Sequence, residues 1–149
     1  MKVCLVCSSG GHFYELHCLR GAWSAHERFW VTFIGQDTRH MLRNEKVYTA
    51  FSPTQRSPKN LIRNLFLAWR VLSKERPRVL VSTGAGVCFP FFLIASLWGI
   101  KTVYIESLAR IKDLSLTGRL VYRFVDEFIV QWPELADKYK KAKYEGQLL

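Results

Sequence analysis

Strand-like and helix-like segments alternate from end to end of this chain, and no other feature constrains its fold as tightly. Apolar runs at Lys2–Cys7, Arg28–Gly35, Lys46–Phe51, Arg78–Gly86, Lys101–Ser107 and Asp126–Trp132 read as six strands. Helical segments fall between them at Phe13–Arg20, Asp37–Asn44, Lys59–Lys74, Phe91–Trp98 and Thr117–Val125. Pro90 opens the fourth of these, a favoured first-turn position. Pro133–Lys143 reads as a last, very basic helix. Regular βα alternation with continuous apolar strands predicts a Rossmann-like α/β fold, a mostly parallel sheet with helices on both faces. The 149 residues suit one domain, residues 1–149.

Ligands of such sheets sit at the carboxyl ends of the strands, where three segments of unusual composition converge. The first strand runs into S-S-G-G-H (Ser8–His12), the fourth into S-T-G-A-G (Ser82–Gly86) and the fifth into I-E-S-L-A-R (Ile105–Arg110). Ser9, Gly10, Gly11, Gly84 and Gly86 offer backbone donors to phosphate oxygens. Arg110 adds charge, while His12 and Glu106 are candidates to move a proton. Taken singly, a Gly-Gly-His is a tight turn and a strand-end Glu is a helix cap; it is their convergence on one edge that points to a site. The NAD fingerprint G-x-G-x-x-G is absent after the first strand, as is the P-loop G-K-[ST], and no D-x-D pair calls for a metal.

The balance of 22 Lys+Arg against 12 Asp+Glu gives a net charge of +10, which suits a nucleic acid, a phosphorylated substrate or an anionic membrane. Aromatic residues make up 14% of the chain, but they lie in apolar runs rather than between basic residues, which argues against nucleic acid. Cys4 and Cys7 form a C-x-x-C inside a strand, where alternation sends them to opposite faces. Core cysteines are therefore expected at Cys4, Cys7, Cys18 and Cys88, with neither metal nor redox chemistry. No signal peptide is expected, because M-K-V-C-L-V-C leads directly into the glycine turn. The apolar stretch Val87–Ile100 falls short of the ~20 residues that span a bilayer.

These residues resemble a known family. S-S-G-G-H-x-x-E-L at Ser8–Leu16, S-T-G-A-G at Ser82–Gly86, V-Y-I-E-S-L-A-R, L-S-L-T-G-R-L and F-I-V-Q-W-P-E-L look like the Alg14-type family, including bacterial PssD and EpsE-like proteins. The resemblance covers essentially the whole chain. It implies the N-terminal half of a GT-B glycosyltransferase, similar to the acceptor-side domain of MurG. A UDP-sugar would be bound by a separate Alg13-like chain, and the acceptor would be an undecaprenyl-diphosphate-linked saccharide of exopolysaccharide or capsule formation. No cofactor is implied. By the same resemblance, Gly10, Gly11, Gly84 and Gly86 face the lipid diphosphate, and Glu106 binds or deprotonates the acceptor sugar. The sequence departs from eukaryotic members in having no N-terminal spanning helix, so attachment to the cytoplasmic side of the membrane is expected through surface features or a partner.

Lys59–Lys74 supplies such features. Leu61, Ile62, Leu65, Phe66, Trp69 and Leu72 fill a wide apolar arc, Leu67 and Val71 extend it, and Arg63, Arg70 and Lys74 gather on a basic one. One sheet face needs only a ~100° stripe, so either an interfacial membrane helix or a core helix with a thin solvated edge fits. Tyr144, Leu148 and Leu149 are apolar residues near a terminus and are candidates to dock a partner chain. Of the two proton carriers, His12 is favoured, because an imidazole accepts a proton at neutral pH while a glutamate does so poorly unless desolvated. A non-catalytic scaffold that recruits an Alg13-like partner is the alternative reading.

Overall fold

A computed structural model describes residues 1–148. Among them, seven strands form one sheet: β1 (Lys2–Val6), β2 (Glu27–Thr32), β3 (Val47–Thr49), β4 (Val79–Ser82), β5 (Lys101–Ile105), β6 (Glu127–Val130) and β7 (Ala142–Tyr144). Their order is β3-β2-β1-β4-β5-β6-β7 and every neighbouring pair is parallel. The helices are α1 (Gly11–Cys18), α2 (Arg20–Trp23), α3 (Gln36–Met41), α4 (Pro58–Glu75), α5 (Cys88–Leu97), α6 (Leu116–Val121) and α7 (Pro133–Lys138). The chain moves outward from β1 to β3 and returns to place β4 against the other side of β1. The crevice between the ends of β1 and β4 is therefore the switch point at which doubly wound sheets take ligands.

Alternation along β1 divides the core. Cys4 and Val6 point into a large apolar cluster roofed by α4, α5 and α6, while Val3, Leu5 and Cys7 point into a smaller one with Phe13, Leu16 and Trp23. Cys4 and Cys7 thus lie on opposite faces, and both are buried. Burial pushes the Cys7 and Cys88 thiols up to about 12, so they stay protonated and act as small apolar groups. Cys18 is the exception to the expected core cysteines, being exposed at the end of α1.

Two stretches differ from the sequence expectation. The basic helix expected over Pro133–Lys143 ends at Lys138, and the chain continues as β7, a seventh strand where six were expected. Ala142 is the small buried residue that lets this segment close on β6 opposite Phe128, and Lys143 pairs with Glu127 at 2.7 Å. A lysine on an edge strand, as Lys143 is on β7, also discourages pairing with another chain. The second difference is α5, which begins two residues before Pro90. A proline is accommodated there because the first N–H groups of a helix have no partner within it.

At the opposite end of the sheet from the glycine turns, Glu75 at the end of α4 ties three elements together. It is buried, accepts from Lys2 at 3.2 Å, pairs with Lys46 at 2.6 Å and takes the Tyr48 hydroxyl. Burial opposes its ionisation, but the hydrogen bonds from Lys46, Tyr48 and Lys2 outweigh that and bring its pKa from 4.5 down to about 2. The folded carboxyl is thus more acidic than the unfolded one. Its stabilisation is complete above about pH 4.5 and is lost as the pH falls towards 2. Melting temperatures across this range should fall steeply for the parent protein and less steeply for Glu75→Gln; parallel curves would show that Glu75 does not set the acid limb.

Candidate functional site

His12 stands at the second position of α1, behind Gly10, whose φ of +86° is open to glycine at little cost. Its imidazole is anchored to the β4 end: Nδ1 lies 2.9 Å from the Thr83 carbonyl oxygen, and the Thr83 hydroxyl donates back to the His12 carbonyl. A carbonyl can only accept, so Nδ1 carries a proton, and in the neutral ring Nε2 is the nitrogen with the lone pair. The two loops that the sequence singled out are thus joined through one histidine at the switch point.

The glycines divide by task. A Cβ on Gly10 or Gly11 would meet nothing within 4 Å, so that loop is open. The Gly10 N–H, expected as a diphosphate donor, is taken by Asp37 Oδ2 at 2.9 Å. Gly84 differs from its expected role as a diphosphate donor, because its N–H is taken by Ser82 Oγ at 3.0 Å. What it provides is room: a Cβ there would lie 3.0 Å from His12 Cε1, and the φ of +121° is one that other residues rarely adopt. Ala85 next to it has a φ of +83°, a strained conformation of the kind that collects at functional turns. Gly86 packs against Thr54, where a Cβ would come within 3.2 Å. Ser9 is half-buried in the first loop, its carbonyl accepting from Ser8 Oγ. Arg110 is exposed on the β5–α6 loop and forms no salt bridge among the described residues.

Glu106 is where the structure corrects the sequence reading. It is fully buried, with Oε1 accepting from Ser107 N at 3.1 Å and Ser115 Oγ at 3.0 Å, and Oε2 accepting from Ser115 N at 3.0 Å. Gly118 leaves the space it occupies, since a Cβ there would overlap Oε2. Glu106 therefore braces the β5–α6 loop against the start of α6 and does not reach the open edge to take a proton. Its own carbonyl accepts from Gln131 Nε2 at 3.0 Å, and Gln131 Oε1 takes the Leu148 N–H at 3.0 Å. This anchors the C-terminal segment; Tyr144 is exposed, and Leu149 lies outside the described residues.

Two residues went unassigned at the sequence level. Glu15, one turn after His12, is buried and holds the β5–α6 loop through Ser107 Oγ at 3.2 Å and Leu108 N at 3.0 Å. Its spacing within G-H-x-x-E was the available signal, because i and i+3 share a helix face. Asp37 gave none, since its partner Gly10 lies 27 residues away.

The residues expected to meet a membrane are split by α4. Leu67, Ala68, Val71 and Leu72 form the core stripe, whereas Leu61, Ile62, Leu65, Phe66 and Trp69 face outward, Phe66 being 73% and Trp69 59% exposed. Trp69 meets Trp98, the residue that caps α5, edge to face, with ring centroids 4.9 Å apart, and Leu97 extends the patch. Arg63 lies over the Phe51 ring, and the exposed Arg70 completes a basic margin. Among the described residues, no helix is long and apolar enough to cross a membrane.

Comparison with known proteins agrees with this architecture. MurG of Acinetobacter baumannii superposes with a TM-score of 0.74 at 17% identity, over 89% of this chain and 42% of that one. The UDP-GlcNAc 2-epimerase of Methanocaldococcus jannaschii gives 0.75 at 17% identity, over 99% and 46%. At such identities the likeness is one of fold, a Rossmann-like domain that makes up just under half of larger GT-B proteins. Among curated sequences, the UDP-N-acetylglucosamine transferase subunit alg14 of Schizosaccharomyces pombe is 47% identical over 75 residues, 47% of this chain and 36% of that protein. The ALG14 subunit of Debaryomyces hansenii is 31% identical over 99% of this chain and 76% of that protein. The human ALG14 subunit is 27% identical over 100% and 83%. The chain thus spans well under half of several curated relatives and most of others. A family model described as "Oligosaccharide biosynthesis protein Alg14 like" matches residues 36–148. That match takes in the second glycine loop, the Glu106 brace and every strand from β3 to β7; with the relative from D. hansenii aligned along almost the whole chain, the protein belongs to the Alg14 family.

Proposed function

We propose that this chain is the acceptor-side subunit of a two-chain inverting glycosyltransferase, with a separate Alg13-like chain holding the UDP-sugar. The anchoring of His12 carries this reading: Nδ1–H is held by the Thr83 carbonyl, so Nε2 is free to take a proton beside an open glycine loop. The acceptor oxygen attacks the anomeric carbon, its proton passes to Nε2, and the bond to UDP breaks with the electron pair leaving on the UDP. The open loop at Gly10 and Gly11 gives the acceptor's diphosphate room, with the Gly11 N–H as its donor and Arg110 adding charge, while the Gly10 N–H stays with the Asp37 carboxylate. The relatives' names make UDP-N-acetylglucosamine the donor to test first. The proposed acceptor is an undecaprenyl-diphosphate-linked saccharide of exopolysaccharide or capsule formation.

The test is reconstitution. This chain, an Alg13-like partner, labelled UDP-N-acetylglucosamine and a lipid-diphosphate saccharide should give labelled lipid, and either protein alone should not. Transfer by this chain without a partner would overturn the two-chain reading.

In this proposal the α4–α5 patch rests on the cytoplasmic face of the membrane, its apolar residues in the interface and Arg63 and Arg70 at the headgroups. A large apolar side chain is worth about 1.5–3 kcal/mol on burial. The double variant Phe66→Glu/Trp69→Glu should therefore lose about 100-fold or more in partitioning to vesicles containing phosphatidylglycerol. Its melting temperature should stay near the parent value, because both side chains face outward. Unchanged flotation would remove this face from the membrane.

A further inference from the structure

Beneath α1 and α3, at the sheet edge opposite His12, lies a cavity of about 430 Å³ lined by His17, Arg20, Arg28, His40, Arg43 and Glu45, among others. Its cations outnumber its single carboxylate, and that carboxylate is already occupied. Arg28 grips Glu45 Oε1 with Nε at 3.2 Å and Nη2 at 2.6 Å, gives Nη1 to the Ser24 and His26 carbonyls, and lies 5.1 Å over the Trp23 ring. Arg28 and Glu45 are thus a built wall, with four of the five guanidinium N–H groups engaged. Arg20 and Arg43 form no salt bridge among the described residues, and the buried Nδ1 of His17 has no hydrogen-bond partner. A second depression lined by Gln36, Arg39, His40 and Arg43 continues the basic surface.

The carbonyl ends of α1 and α3 account for part of this charge, since His17, Arg39 and His40 lie in their last turns. Arg43 lies beyond the last turn of α3 and Arg20 opens the single turn of α2, so the ends of α1 and α3 do not explain them. We infer that this cavity binds a phosphate-type dianion or diphosphate, held by Arg20 and Arg43 with His17 and His40. This site is separate from the diphosphate position proposed beside His12. A soluble diphosphate and an anionic lipid headgroup both present phosphate oxygens to such a site, and the experiment separates them.

The full chain, labelled at histidine, is titrated with inorganic pyrophosphate while its ring resonances are followed by NMR. His17 and His40 should shift together, and Arg20→Gln and Arg43→Gln should each weaken the response about tenfold. A shift of His12 reports the other site, so each proposal stands or falls on its own signals. In a second arm, vesicles containing phosphatidylglycerol replace pyrophosphate. A response of His17 and His40 to vesicles alone, lost in the double arginine variant, assigns the site to a lipid headgroup. No response to either probe, or a double variant that titrates like the parent, overturns the inference.

Discussion

Replacing His12 with glutamine should lower the rate of sugar transfer in the reconstituted pair by about 10²–10⁴-fold, the usual contribution of a positioned general base. The effect should fall on kcat, with the KM for the UDP-sugar little changed, because the donor is bound by the partner. The glutamine amide lies one bond beyond the Nδ1 position, so His12→Asn, which can place an N–H there for the Thr83 carbonyl, is the control for the loop and should keep the parent melting temperature. The split between kcat and KM is the decisive readout, since a residue that only shapes the loop would not move kcat alone. Full turnover by His12→Gln would instead favour the scaffold reading, in which this chain only recruits its partner to the membrane.

The second large effect is on stability. Glu106→Ala would leave the Ser107 and Ser115 N–H groups without their acceptor, and an unsatisfied buried donor costs about 1–3 kcal/mol. A total on the order of 3 kcal/mol, with a fall in melting temperature of roughly 6–12 °C, is expected. Gly118→Ala should reproduce the loss from the other side, because its methyl group would occupy the position of Oε2. Urea denaturation of both variants checks this. A Glu106→Ala protein as stable as the parent but unable to transfer sugar would return Glu106 to a chemical role.

The parts of the molecule that could be read from sequence are those set by local pattern. Apolar runs ending in glycine placed β1 and β4 and, with them, the edge where His12 sits. Long-range geometry decided the rest. Nothing local in Y-K-K-A-K-Y marks a strand; Ala142 becomes one because β6 offers it a place opposite Phe128. Glu106 ends a strand, as a site residue would, and only the fold of Ser107–Gly118 around it turns it inward. On α4 the periodicity shows one wide apolar arc, but which part of it faces the sheet depends on how the helix is rolled against α5. Gly84 was recognised as special for a different reason from the one that holds, the closeness of an imidazole 72 residues earlier in the chain.

The Gln131 amide has a consequence for how the end of the chain behaves. One end of that amide donates to the Glu106 carbonyl and the other accepts from Leu148, so it cannot turn over without breaking both bonds. Lifting the tail away would strand a buried acceptor at a cost of about 1–3 kcal/mol unless water or another donor replaced the Leu148 N–H. Leu148 is thus latched, and the latch closes on the same backbone segment that carries the Glu106 brace.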